Sequence, residues 1–229
     1  QIRTTICYND RPVKIAGSHA GVSVGPDGGT HQAIEDIAIM RVLPNMVVIA
    51  PCDSIEAKKA TLALAKSKEP AYLRLAREKT PIITTPETPF EIGKAQVFYK
   101  TAKGKTAKTA GIIATGSLLH KALVAAKELE GEGIAVTVLN LSTIKPLDEQ
   151  SILDLARECG RIVTVEEHQI AGGMGSAVAE LLAQKHPVPM EFVGVKDLFG
   201  QSGKPDEIVE HYGMGVSHIK EAIQKVLVR

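Results

Sequence analysis

Residues 18–32, SHAGVSVGPDGGTHQ, set His19, Asp27 and His31 in one connection with Gly21, Gly25, Gly28 and Gly29. Arg77 stands further on, just past the run AYLRLA. A guanidinium grips a phosphate with a planar fork of donors. An imidazole at His19 can share that phosphate, and a carboxylate at Asp27 accepts hydrogen bonds from sugar hydroxyls. Glycines let the backbone come close to a ligand. Two readings stand side by side: a ligand-binding wall, as loops after α/β strands often supply, or a demanding turn whose ionisable groups face water.

For the four residues to converge, the fold must bring two loops together. In open α/β sheets ligands lie outside the carboxyl ends of the strands. VKIAGS (13–18) reads as a strand, and the segment 18–32 leaves its carboxyl end. AYLRLA (71–76) reads as another, and Arg77 leaves its carboxyl end. Arg74, three residues earlier, faces the opposite side of such a strand. Between the two, HQAIEDIAIMRVL (31–43) puts Ile34, Ile37, Ala38 and Met40 near one helical face, and MVVIAP (46–51) is a buried strand ended by Pro51. Asp53 and Glu56 have capping-box spacing, with Asp in the Ser/Thr place, for a helix reaching Ser67.

Three Thr-Pro pairs and then Thr and Lys mark residues 78–108 as a linker followed by one or two edge strands. Alternation then resumes. Strands are expected at 110–117 (running into a turn), 135–141, 161–167 and 190–195. Helices are expected from 118 to Gly131 or Gly133, at 147–159, at 172–185 and at 217–228, the last with Ser217 as N-cap. This alternation implies an α/β fold, two domains with mostly parallel sheets flanked by helices. The division expected is 1–85 for a partial first domain, 86–108 for linker and edge strands, and 109–229 for the second domain. QIRTTICYNDRPVKIAGS reads as the middle of a helix running into a strand, and the first domain has few strands for a complete sheet. Both suggest a domain lacking its N-terminal part.

Composition narrows the partners. Lys and Arg number 27 against 26 Asp and Glu, a formal charge of +1, so no footprint for nucleic acid or a membrane surface is present. Aromatics are 3% with no Trp, which disfavours base-stacking platforms. No stretch approaches the roughly 18 apolar residues of a membrane span. Cys7, Cys52 and Cys159 are far apart and in no metal-ligand spacing, which fits a reducing, cytoplasmic setting. In GPDGG, Pro26 separates Gly25 from Asp27 and no Asn-Asn pair follows, so no metal–diphosphate motif is read there. AGGMGSA (171–177) and ATGS (114–117) read as close helix–sheet packing rather than anion sites, and His120, His168, His186 and His218 as packing or surface residues.

With these residues assembled, the chain resembles the carboxyl-terminal half of transketolases, above all the separate C-terminal subunits of split forms. SHAGVSVGPDGGTHQAIEDIAIMRVLPNMVVIAPCD resembles the core of the pyrimidine-binding domain. STIKPLD, TVEEHQIAGGMGSAVAE and SGKPDEIVEHYGM resemble the transketolase C-terminal domain. The resemblance implies a thiamine-diphosphate enzyme of the pentose phosphate pathway that moves a two-carbon ketol unit from a ketose phosphate to an aldose phosphate. Position by position, it implies that His19 and Arg77 hold the sugar phosphate and that Asp27 contacts a substrate hydroxyl near the reacting carbon. It implies a catalytic role for His31 beside the thiazolium. The family's catalytic glutamate, the aromatic cradle of the pyrimidine and the metal–diphosphate domain have no counterpart here. The expectation is therefore that thiamine diphosphate and Mg2+, or another divalent cation, serve only the complete enzyme, that this chain binds no metal, and that alone it is inactive. The implied partners are sugar phosphates and an N-terminal transketolase subunit or domain, in a homodimer or heterotetramer, without nucleic acid or membrane. Alternatives are deoxyxylulose-phosphate synthase (which has Asp-Arg where this chain has Ser18-His19), the β chain of a 2-oxoacid dehydrogenase, dihydroxyacetone synthase and a non-catalytic assembly partner.

Overall fold

A computed structural model describes residues 1–102 and 108–229. A π-type helical segment, Ile2–Tyr8, leads into strand β1 (Lys14–Gly17). Helix α1 (Asp36–Arg41), strand β2 (Val47–Ile49), helix α2 (Ser54–Lys66) and strand β3 (Ala71–Arg74) complete the first half. The second half runs β4 (Gln96–Lys100), β5 (Thr109–Ala114), α3 (Leu119–Gly131), β6 (Ala135–Asn140), β7 (Thr143–Lys145) and α4 (Glu149–Cys159). It ends with β8 (Ile162–Gln169), α5 (Met174–Lys185), β9 (Met190–Val195), α6 (Pro205–His211) and α7 (Val216–Val226).

Two sheets form, ordered β1-β3-β2-β7 and β4-β6-β5-β8-β9. All pairings are parallel except β2 with β7 and β4 with β6. β5 and β6 are buried along nearly their whole lengths, as apolar, β-branched strands covered on both faces should be. The fold class is the α/β layout expected, and most elements lie within a few residues of their expected places.

The differences have physical causes. The first helix starts at Asp36 and not at residue 31, because the preceding residues are held outside it. Ala33 bridges to Ala20, and the Gln32 amide donates to Val22 O at 2.9 Å and Gln201 O at 3.0 Å. Helix α7 is capped by Gly215, so Ser217 lies inside it and is not its N-cap. Of the expected edge strands, β4 is observed, antiparallel on β6; residues 103–107 lie outside the described residues. Helix α6 and strand β7 were not anticipated.

Strand β7 changes how the two halves relate. It lies in the second half of the chain, within the range 109–229, yet it pairs with β2 in the first sheet. The apolar face it helps form is shared: Val48 and Tyr72 from one half pack in one cluster with Ile113, Leu139, Ile144 and Met174 from the other. Side-chain links reinforce the junction. Glu56 accepts from Cys52 N at 2.7 Å and from Asn140 Nδ2 at 2.8 Å. Asp53 caps α2 through Glu56 N at 2.8 Å, the cap its spacing predicts, and also accepts from Ile83 N and Thr84 N, anchoring the start of the linker.

Ile144, 1% exposed on β7, tests the shared core. Ile144→Ala should cost about 2–5 kcal/mol. Urea unfolding should still show one cooperative transition, moved to lower denaturant. Two separate transitions, only one of them moved, would mean that the halves have independent cores.

Candidate active site

The site begins with strand register. β1 and β3 pair in parallel with Gly17 opposite Arg74, so both strands end at one level. Their loops leave side by side, tied by Leu75 N to Gly17 O at 2.7 Å and Ala20 N to Leu75 O at 3.1 Å. Residues Val22–Asp27 then form two short 3-10 turns broken at Gly25, whose φ of 76° is open to glycine at little cost. Gly21 is required for a second reason. A Cβ there would lie 2.3 Å from Glu167 Oε1, so the backbone wraps a carboxylate of the other half.

This geometry brings Arg77 and Asp27 together. Arg77 Nη1 donates to Val24 O at 2.8 Å and to Asp27 Oδ1 at 3.1 Å. Both side chains are partly open to solvent, 35% and 39% exposed. Among the described residues, Arg77 Nη2 has no partner. His19 is exposed, with a φ of 61° that is uncommon for a residue bearing a side chain, and its Nδ1 lies 3.1 Å from Ser18 Oγ. His31 is also exposed, its Nδ1 3.0 Å from Thr30 Oγ1. Neither histidine bonds to Arg77 or Asp27 among the described residues. Two clefts lie nearby, of ≈ 500 Å³ and ≈ 350 Å³, sharing Ala76, Glu78, Lys79, Thr80 and Ser117; none of the four residues lines either cleft. The arrangement is an open, polar surface at the carboxyl ends of two strands, able to bind an anion and a hydroxylated chain beside it.

Beneath it lies a buried charged cluster that the sequence reading passed over. Arg74 is the last residue of β3, Arg77 lies beyond the strand, and the two have different partners. Arg74 Nε donates to Asp36 Oδ2 at 2.8 Å, and its Nη2 donates to Ala33 O at 3.1 Å and Glu167 O at 2.9 Å. Tyr72 OH also donates to Asp36, at 2.8 Å. Burial alone would raise the Asp36 pKa, but the Arg74 charge and hydrogen bond, with help from Tyr72, hold it below the usual value. The signal available in the sequence was an arginine inside the apolar run AYLRLA and an aspartate on the apolar face of IEDIAIM.

Two further buried groups sit in β8. The Glu166 carboxylate accepts from Met174 N at 2.7 Å and Gly175 N at 2.8 Å, so it occupies the amino end of α5. A Cβ at Gly175 would lie 2.5 Å from Thr164 Oγ1, so this glycine motif serves close helix–sheet packing, as expected. Burial pushes the Glu166 pKa up to about 7 against the pull of those two amides. His168 is 0% exposed; Nδ1 donates to Gln169 O at 2.7 Å, and Nε2 accepts from Ala38 N at 3.4 Å. Burial, then the Arg74 charge, push its pKa down to about 4. Among the described residues, no group of three or more His, Cys, Asp or Glu is placed to hold a metal, and no helix is long and apolar enough to cross a membrane.

The chain is similar to known proteins over nearly its whole length. Residues 1–82 match the family model of the transketolase pyrimidine binding domain, and residues 100–219 that of the transketolase C-terminal domain. The chain is 40% identical, over 98% of its length, to a transketolase C-terminal section of Methanocaldococcus jannaschii, of which it covers 69%. It is 37% identical, over 100% of its length, to a 6-deoxy-6-sulfo-D-fructose transketolase subunit of Clostridium sp., again covering 69%. It is 37% identical, over 93% of its length, to one of the apulose-4-phosphate transketolase subunits of Phocaeicola vulgatus, covering 67%. Among solved structures it superposes on a split gene transketolase, described as an inactive beta4 tetramer, with TM-score 0.89 and 42% identity. That match covers 99% of this chain and 71% of the other.

The buried pair Glu166 and His168 makes a pH prediction. His168 titrates at about 4 folded and near 6.5 unfolded, so the unfolded state binds more protons between these values and stability falls as pH drops through that window. Glu166 titrates at about 7 folded and near 4.5 unfolded, so there stability rises as pH drops. In the native protein the two slopes oppose each other. Glu166→Gln removes the second, and its stability should fall by about 3 kcal/mol from pH 7 to pH 4, read from urea midpoints. A variant with the same pH slope as the native protein would refute the assignment of these two groups.

Proposed function

The chain belongs to the transketolase family, and from that premise we propose that it is the C-terminal section of a ketol-transferring enzyme completed by an N-terminal section. The observation that carries this reading is the Arg77–Asp27 pair at the register-matched ends of β1 and β3, with Arg77 Nη2 free for an anion. Arg77 and His19 grip the terminal oxyanion of the sugar, and Asp27 accepts a hydrogen bond from a hydroxyl near the reacting carbon. His31 lies at the reacting end. Relatives named for a sulfo sugar and for a sugar phosphate both handle a tetrahedral oxyanion, which a guanidinium fork suits.

The donor set here, two imidazoles, one carboxylate and one guanidinium, fits the sugar phosphate. It does not gather the ligands that would hold thiamine diphosphate and its Mg2+, so those fall to the partner section. When bound in the assembled enzyme, the cofactor supplies the carbanion chemistry. This chain's residues orient the sugar against it. We place the activity in the cytoplasm, in pentose phosphate metabolism, within an assembly of paired sections.

Reconstitution tests the proposal. This protein is mixed with its cognate N-terminal section, thiamine diphosphate and Mg2+, and ketol transfer from xylulose 5-phosphate to ribose 5-phosphate is measured. We expect transfer by the mixture and none by either section alone. Condensation of pyruvate with glyceraldehyde 3-phosphate instead would favour a deoxyxylulose-phosphate synthase. In the reconstituted enzyme, Arg77→Ala should weaken binding of phosphorylated donors roughly ten- to a hundredfold, the loss of one charged hydrogen-bonding partner. Unphosphorylated donors should change little; equal losses for both would give Arg77 a structural role only.

A further inference from the structure

We propose that Glu167 is a positioning residue for the Arg77–Asp27 pair, acting on it through the backbone of Ser23 and Val24. The inference rests on the reading of that pair as the groups that bind the sugar phosphate, Arg77 donating to its oxyanion and Asp27 accepting from a hydroxyl, and assigns its control to the other half of the chain. Glu167 is 3% exposed on β8. Its Oε1 accepts from Ser23 N at 2.6 Å, and its Oε2 accepts from Ser117 Oγ at 2.7 Å. Its own carbonyl accepts from Arg74 Nη2 at 2.9 Å. The loop thus closes on the carboxylate from two sides, at Gly21 by contact and at Ser23 by hydrogen bond.

What makes this more than loop packing is the next residue. Val24 O, one residue beyond the held Ser23 amide, accepts from the same Arg77 Nη1 that donates to Asp27. The path from Glu167 to the guanidinium therefore runs Ser23 N, Val24 O, Arg77 Nη1, with two hydrogen bonds and two residues of backbone. Gln32 anchors a different point, taking Val22 O and Gln201 O. Among the described residues, Glu167 is the side chain that bonds the backbone of Ser23, while on the far side of Val24 the carbonyl of Gly25 accepts from Gly203 N at 3.4 Å. The neighbouring Glu166 points to α5 instead, so the two carboxylates divide the work.

The test uses the protein reconstituted with its N-terminal section, thiamine diphosphate and Mg2+. Glu167→Ala should raise KM for a phosphorylated donor about tenfold, on the scale of one charge-assisted hydrogen bond, with kcat much less affected. KM for an unphosphorylated donor should hold. Glu167→Gln can still accept from Ser23 N and donate to Ser117 Oγ, so it should stay within about twofold of the native enzyme. A lower kcat at unchanged KM, or equal failure of both variants, would leave Glu167 a stability role and overturn the proposal. If the native enzyme itself does not favour phosphorylated donors, the assignment of Arg77 fails instead. Hydrogen exchange on the full chain then decides for Glu167. Exchange across residues 19–33 must quicken in Glu167→Ala and not in Glu167→Gln, while that of β5 and β6 stays fixed; unchanged exchange refutes the clamp.

Discussion

The buried Arg74–Asp36 pair is the contact on which the arrangement turns. Both side chains are 8% exposed, and taking two charges out of water is costly unless geometry and extra hydrogen bonds offset it. Here they do. Asp36 Oδ2 accepts from both Arg74 Nε and Tyr72 OH, and Arg74 Nη2 donates to two backbone carbonyls, Ala33 and Glu167, while Asp36 Oδ1 is left without a hydrogen bond among the described residues. Those two carbonyls belong to the end of the glycine-rich loop and to β8 of the second half. One guanidinium thus ties together the end of β3, the start of α1, the end of the loop and the opposing sheet. Leucine at this position would fill space but leave Asp36 as an uncompensated buried charge and two carbonyls without donors.

Alternation along β8 extends that junction to both of its faces. Neighbouring strand residues point to opposite sides. Glu166 and His168 turn towards α5 and α1, with His168 Nδ1 3.9 Å from Glu166 Oε2. Glu167, between them, turns towards the loop that carries Asp27 and His31. A single three-residue stretch, EEH, therefore caps one helix, packs against another and holds the loop. Glycines meet it from several directions because carboxylates this deep need backbone amides near them. Gly173 would place a Cβ 2.3 Å from Glu166 Oε2, and Gly21 one 2.3 Å from Glu167 Oε1.

The regular parts of this fold were legible because their signals are local. β5, β6 and β8 are short apolar runs, α2 carries its cap at Asp53, and the ends of β1 and β3 could be matched to the two loops that bear His19, Asp27, His31 and Arg77. What escaped is short or depends on distant partners. TIK is three residues long, and nothing local says that β7 crosses to the first sheet. PDEIVEH spans barely two turns of α6, and its place is set by Pro205 packing against Gly25. The period-two argument compared Arg74 with Arg77, which lies beyond the end of β3, and could not show what meets Arg74, because Asp36 comes from another element. His168, read as a packing residue, is fully buried among charges. No single-residue property distinguishes the two situations.

The openness of the donor surface bears on how such a site would work. Arg77 and Asp27 are more than a third exposed, and His19 and His31 are exposed as well. Hydrogen bonds to a phosphate are weak in competition with water, and they strengthen once water is displaced into a low-dielectric enclosure. Among the described residues, the two clefts along Ala76–Thr80 are lined by none of these four residues. On the proposed reading, the surface that closes them comes from the N-terminal section, and a loop that is stiff beforehand loses less affinity to ordering on contact. The buried contacts beneath the loop, Arg74 on Ala33, Glu167 on Ser23 and Gln32 on Val22, supply that stiffness. On the proposed reading, the second half of the chain bears on ligand binding without carrying any of the four candidate residues.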